Sequence, residues 1–163
     1  MSRIVCSFAG HREIFDSGTK DKIKKVAQKL ITENGVNEFW VGNYGRFDAC
    51  AALAIRELKD ESYPDIELVL VIPYVTKVIE EYKDLYSKNY DGILISDMPL
   101  NTPRQFKIIK NNEFMVENAD FIICYIDHTW GGAYKTYSYA KRKKKEIFNV
   151  AENAVDANAQ TGG

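Results

Sequence analysis

Apolar residues in this chain follow two rhythms. Short, nearly continuous runs, RIVCSFA (3–9), EFWVG (38–42), IELVLVI (66–72), GILIS (92–96), DFIICYI (120–126) and EIFNV (146–150), predict strands, most of them apolar on both faces. Between the first two, Ile23, Val26, Ala27, Leu30 and Ile31 recur at helical spacing, and Asn34-Gly35 supplies a stop. Phe47, Cys50, Ala51, Ala54 and Leu58 form one face of a second helix, whose small residues let its backbone approach a sheet. After Pro73, the residues Val75, Val78, Ile79, Tyr82 and Tyr86 predict a further helix with an aromatic stripe packed into the core. SDMPLNTP (96–103) reads as a loop lying over a site. A helix from Arg104 to about Asn118 turns Ile108, Met115, Val116 and Ala119 inward, with Asn111 and Asn112 near the edge of that face. A last helix runs from about Gly132 to Lys143. Strand-like runs alternating with helical ones predict an α/β fold, a mostly parallel sheet covered by helices. One domain is expected over 1–150, followed by a polar, disordered tail over 151–163.

Composition narrows the function classes. The chain has 163 residues, 45% of them hydrophobic, and a formal net charge of −1, so no bulk field draws it to nucleic acid or an anionic membrane. Any anion site is therefore local. Cys6, Cys50 and Cys124 lie far apart inside apolar segments and read as buried free thiols in a reducing compartment, with no metal or disulfide role. Without a signal-peptide profile or an apolar run of ~20 residues, the expectation is a cytoplasmic protein with no membrane partner.

Candidate chemistry gathers at three strand exits, where ligands of open parallel sheets bind. The first carries Gly10, His11 and Arg12. The second carries Gly42, Asn43, Tyr44, Gly45, Arg46 and Asp48. The third carries Asp127, His128, Trp130, Gly131, Gly132, Lys135 and Thr136. Each contains glycine and precedes a helix, whose free N–H groups and positive dipole end favour phosphate or carboxylate. Arg12, Arg46 and Lys135 are the expected phosphate contacts, while Tyr44 or Trp130 offers a face for a base. Asp48 reads equally as an N-cap or as an acceptor for a ribose hydroxyl. Neither a G-x-G-x-x-G nor a Walker sequence is present. The basic run KRKKK (141–145) sits at a helix C-terminus, where cations complement the dipole, and is read as a solvated helix end.

FAGHR, GxxGRFDAxAA, FMVENADFIICY and GGAYKTYSYAKRKKK, in this order, resemble the YpsA-like group of the SLOG superfamily over nearly the whole chain up to Val150. The resemblance implies a Rossmann-like, doubly wound domain that binds nucleotides or nucleotide-derived signals of the ADP-ribose or cyclic-nucleotide type. Some relatives are sensors in antiviral signalling, and many form dimers or tetramers. Other branches are the Lonely-guy phosphoribohydrolases and a DNA-processing protein that binds single-stranded DNA. The phosphoribohydrolases carry P-G-G-x-G-T-x-x-E. With Thr136 at the threonine, Tyr139 falls where that pattern has glutamate, and Asn111 falls where relatives have arginine. An asparagine and a tyrosine do not replace an acid–base carboxylate and its cation.

The reading is therefore binding without catalysis, requiring neither cofactor nor metal. The expected partner is a nucleotide-derived small molecule, and the chain serves as a sensor, carrier or sequestering protein and forms a homo-oligomer. Its ligand-binding residues are those of the three exits, Asp127 excepted, together with Asn112. The alternatives are a divergent phosphoribohydrolase drawing a carboxylate from Asp48 or Asp127, and, more weakly, a single-stranded DNA-binding module. With a near-neutral chain, nucleic acid is the less expected partner.

Overall fold

Every predicted strand is present, and all six pair in parallel. The computed structural model describes residues 2–156. The strands are β1 (Val5–Gly10), β2 (Glu38–Val41), β3 (Glu67–Ile72), β4 (Gly92–Ile95), β5 (Phe121–Tyr125) and β6 (Glu146–Asn149). They lie in the order β4-β3-β2-β1-β5-β6. Parallel neighbours require crossovers, and these are α1 (Thr19–Asn34), α2 (Arg46–Glu61), the short α3 (Lys77–Glu81) and α4 (Lys83–Asn89), α5 (Arg104–Glu117) and α6 (Gly132–Arg142). The chain winds outward from β1 to β4, then α5 carries it back to β5 on the other side of β1. The winding direction thus reverses between β1 and β5, the geometry of a doubly wound Rossmann-like sheet.

Alternation along each strand splits the core into two layers. Cys6, Phe8, Phe39, Leu68, Ile123 and Tyr125 face α1 and α2, meeting Ile23, Ala27, Phe47, Ala51 and Ile55. Val5, Trp40, Val69, Val71, Ile122 and Cys124 face α5 and α6, meeting Met115, Val116, Tyr137 and Ala140. Alanines at 51, 52 and 54 let α2 lie close to the sheet, as their size predicts. Helix α1 ends at the expected stop, where Gly35 adopts φ 71° and returns its N–H to the Leu30 carbonyl. All three cysteines are free, and burial pushes the Cys6 and Cys124 thiols well above the ordinary range, so they are inert packing groups.

Two expectations need correction. The single aromatic-striped helix after Pro73 is instead α3 and α4, broken at Tyr82. Ile79 is buried there, whereas Val75, Val78 and Tyr82 are exposed. These helices cover one edge of the sheet, which has too little apolar surface to bury a whole stripe. Residues 151–156, read from composition as the start of a disordered tail, are docked on the domain. Ala151 is buried, Val155 donates its N–H to the Ile126 carbonyl, and Asp156 accepts from the Tyr137 hydroxyl (2.8 Å) and Lys141 Nζ (2.9 Å). A few small apolar side chains and two charge-assisted bonds dock residues 151–156. The remainder of the expected tail, 157–163, lies outside the described residues. No helix among the described residues is long and apolar enough to cross a membrane.

Candidate functional site

The loops leaving β2 and β5 solve the strand-to-helix turn in the same way. Gly45 precedes α2 with φ 103° and ψ 179°, and Gly131 precedes α6 with φ 94° and ψ 174°. This region of backbone space is essentially closed to residues with a Cβ. Neither helix has a side-chain cap. The first N–H of α2 is taken by a backbone carbonyl, and the start of α6 is the one that leaves its N–H groups to a ligand. Arg46 N–H donates to the Arg12 carbonyl at 2.7 Å, tying the β1 and β2 exits into one wall.

Beyond the carboxyl ends of β1, β2 and β5 lies a cavity of about 540 Å³. Of the residues named from sequence, Gly10, His11, Arg12, Gly42, Tyr44, Asp48, Asn112, His128, Trp130, Gly131, Gly132 and Thr136 line it. Asn43, Gly45, Arg46 and Lys135 do not. Arg46 and Lys135 are exposed, and Lys135 instead lines a separate groove of about 300 Å³ between α5 and α6. Arg12 is therefore the one arginine or lysine in the cavity wall, a correction to the expected trio. The loop at 96–103 also stays away from the cavity, with Leu100 fully exposed. Glu13, Phe15, Ile108, Met115 and Ala133 complete the wall without having been singled out. The apolar ones carry no signal, because an apolar residue near a strand exit is equally well read as core, and a single loop glutamate such as Glu13 reads as solvated.

Asp48 is not the N-cap, a place held by Gly45, but the third residue of α2, reaching back to the loop before it. One carboxylate oxygen accepts the Tyr44 N–H at 2.9 Å, a helix-start bond, while the residue still lines the cavity. Burial lifts its carboxyl to about 7, with the Tyr44 N–H pulling the other way.

The far wall is an aromatic column. The His11 and His128 rings stack at 3.5 Å and 9°, and the Trp130 ring covers the other side of His128 at 4.1 Å and 35°. Trp130, 69% exposed, leaves its outer face open to the cavity. Asp127 holds the column from below: its Oδ1 lies 2.6 Å from His128 Nδ1, and its backbone N–H donates to His11 Nε2 at 3.4 Å. Burial first, then His128, lowers the His11 pKa, while Asp127 opposes both. Sequence reads Asp127 only as a spare carboxylate, although its place directly before His128 at the β5 exit is a signal for this pairing. His11, Asp127 and His128 are the one group of potential metal ligands close together among the described residues. Parallel rings, however, send their in-plane lone pairs along parallel lines, so both imidazoles meet one ion only after a ring turns.

The positions that distinguish this chain from phosphoribohydrolases are structural. Asn111 is fully buried and donates to the Val71 carbonyl at 3.2 Å. The Tyr139 hydroxyl is hydrogen-bonded to Glu117 on α5, and the side chain lines the α5–α6 groove rather than the cavity. The KRKKK run is largely engaged as well. Lys141 pairs with Asp156, Arg142 and Lys143 lie over the Tyr139 ring, and Lys145 donates to the Glu117 and Ala119 carbonyls at the end of α5.

The family model described as the YspA SLOG family matches residues 16–158. No curated protein matches the chain. Among solved structures, DNA processing protein A from Streptococcus pneumoniae aligns with a TM-score of 0.68 at 16% identity, covering 99% of this chain and 57% of that one. This chain therefore spans little more than half of that neighbour. DNA processing protein A from Helicobacter pylori, described by its single-stranded DNA binding mode, aligns with a TM-score of 0.65 at 15% identity, covering 98% of this chain and 73% of its own. The Moco carrier protein of Chlamydomonas rheinhardtii aligns with a TM-score of 0.57 at 8% identity, covering 99% and 83%. At these identities the likeness is one of fold.

Proposed function

This chain belongs to the YspA SLOG family, and from that premise we propose that it binds a nucleotide-derived small molecule of the ADP-ribose or cyclic-nucleotide type as a sensor, carrier or sequestering protein. The observation that carries the reading is the cavity at the β1–β5 switch point, about 540 Å³ in volume, with an open indole face at one wall and the uncapped start of α6 beside it. Small-molecule sites span roughly 300–1,000 Å³, so a mononucleotide or a somewhat larger derivative fits. In this reading phosphate meets Arg12 and the N–H groups at Gly131 and Gly132, the base stacks on Trp130, and Asp48 accepts from a ribose hydroxyl. The Moco carrier neighbour lends support to a carrier role. Cytoplasmic residence and a homo-oligomeric state belong to the same proposal.

Catalysis is not part of it. A positioned acid or base is typically worth ~10²–10⁴-fold in rate, and the positions that match the phosphoribohydrolase carboxylate and cation hold Tyr139 and Asn111. Incubation with nucleoside monophosphates and ADP-ribose, followed by chromatography for free base, is expected to show thermal stabilisation by ligand without product. Turnover on the order of 1 s⁻¹ or faster would refute the binder and send attention to Asp48 and Asp127. The Helicobacter pylori neighbour favours single-stranded DNA as a second reading. Steeply salt-dependent affinity for oligonucleotides would support it, although the engaged state of the basic run argues against a strong effect.

Arg12→Ala is expected to weaken nucleotide binding by roughly 1.5–3 kcal/mol, the value of a hydrogen bond to a charged group, with little change in melting temperature. Titration calorimetry alongside thermal melting checks this. Unchanged affinity with a collapsed melting temperature would make the Arg12 side chain a structural group rather than a ligand contact.

A further inference from the structure

The two edges of the sheet are guarded differently. β6 follows Lys144 and Lys145 and opens on Glu146, and charge on an edge deters pairing with another strand. β4 holds neither a charge nor a proline. Its ladder to β3 has a fixed phase, because the Ser96 N–H donates to the Ile72 carbonyl at 2.9 Å while Ile72 pairs with Ile95. Gly92, Leu94 and Ser96 therefore address β3, and Ile93 and Ile95 turn their N–H and C=O groups to the open side. Among the described residues nothing bonds to those outward groups. The two isoleucine side chains are 43% and 52% exposed. They lie on the face that α3 and α4 cover, since they pair in register with Leu70 and Ile72, which pack on Ile79. On those helices Val78, Tyr82 and Leu85 are exposed as well.

We propose that β4 is the interface between two copies of this chain, which pair their β4 strands antiparallel about a two-fold axis at Leu94 and join two six-stranded sheets into one. The interface rests on the homo-oligomeric reading above, to which it gives a face, and does not depend on the ligand. A two-fold contact has to be self-complementary, and this one is. With Leu94 opposite its own copy, Ile93 faces Ile95 of the other chain, and each isoleucine exchanges both of its backbone bonds with the one it faces. A register shifted by two residues would leave one isoleucine of each chain unpaired. A strand from another protein would fill the edge but present a new one of its own, whereas the second copy closes both edges at once. Strand pairing alone falls short of the ~800 Å² per partner that stable interfaces bury. Val78, Tyr82 and Leu85, on the same face, are the apolar area that extends it.

Analytical ultracentrifugation of the full chain over about a hundredfold range of concentration tests this, with a reversible monomer–dimer equilibrium as the expected result. Added salt should not weaken it, because Asp91, though paired with Lys59, comes level with Asp97 of the second copy. Ile93→Pro removes an outward N–H and no bond to β3, so it should leave the protein folded and raise the dimer dissociation constant at least about tenfold. Ile95→Lys places a charge on the edge and should do the same. Circular dichroism and thermal melting check that both variants remain folded. Leu94→Cys needs neither of them: on oxidation it should give a disulfide-linked dimer that wild-type protein does not, since residues directly opposite one another bring their Cβ atoms to ~4.5–5.5 Å. Wild-type protein that stays monomeric throughout overturns the interface and the homo-oligomer together. A dimer that both edge variants leave intact, or that Leu94→Cys fails to link, overturns the interface and leaves the homo-oligomer standing on another face.

Discussion

Gly132→Val is expected to reduce nucleotide affinity by at least about 100-fold, near 2.7 kcal/mol, while the protein melts as before. Gly132 is the first residue of α6, and a Cβ built there meets nothing within 4 Å. It lines the cavity, so the open space belongs to the ligand rather than to neighbouring protein. A valine side chain would occupy the path by which a phosphate oxygen reaches the uncapped N–H groups. Its backbone needs no left-handed conformation, and replacing helical glycine is intrinsically neutral to favourable for folding. Calorimetry and thermal melting on the same sample separate the effects. Wild-type affinity would mean that the ligand does not approach the start of α6.

Gly45→Ala is expected to act on stability instead, lowering it by about 3–5 kcal/mol from backbone strain and overpacking together. Gly45 sits at φ 103°, and a Cβ there would lie 2.6 Å from the Arg12 Cα, a backbone atom with no rotamer by which to retreat. Arg12 is itself held by the bond from its carbonyl to the Arg46 N–H. For a domain of this size, ~2–4 °C per kcal/mol puts the fall in melting temperature near 10 °C. Gly131→Ala is the informative companion, since Gly131 has a similar φ of 94° but nothing within 4 Å of the point a Cβ would occupy. It should carry the strain without the collision. Equal losses for the two would place all of the cost in the backbone angle.

Most of the framework was legible because its physics is local. A strand covered on both faces has to be apolar at consecutive positions, and the inner runs met that demand, while the edge strands β4 and β6, matched within a residue of their ends, leave one face partly open, with Ile93 and Ile95 exposed. The exits were legible because glycine beside a cation is uncommon inside a core. Which cation enters the cavity was not. Arg46 and Lys135 lie in the first turns of α2 and α6, and the phase at which each helix starts is fixed by the unusual angles of Gly45 and Gly131. Nor was the imidazole column, which exists only because β1 and β5 pair, with Gly10 opposite Tyr125, bringing distant histidines together. The docking of residues 151–156 rests on contacts 19 and 15 residues apart, Asp156 with Tyr137 and Lys141, which lie beyond any local pattern.

The chain's two tryptophans divide its light emission between two questions. Trp40 is 1% exposed inside the layer shared with α5 and α6, its ring stacked on Phe114, whereas Trp130 is 69% exposed on the cavity wall against His128. Their surroundings set them apart spectrally, a blue component reporting whether the core is intact and a red one reporting what touches the cavity. Occupancy and unfolding are thus separable by colour in unlabelled protein, with Trp130→Phe silencing one channel and leaving the other.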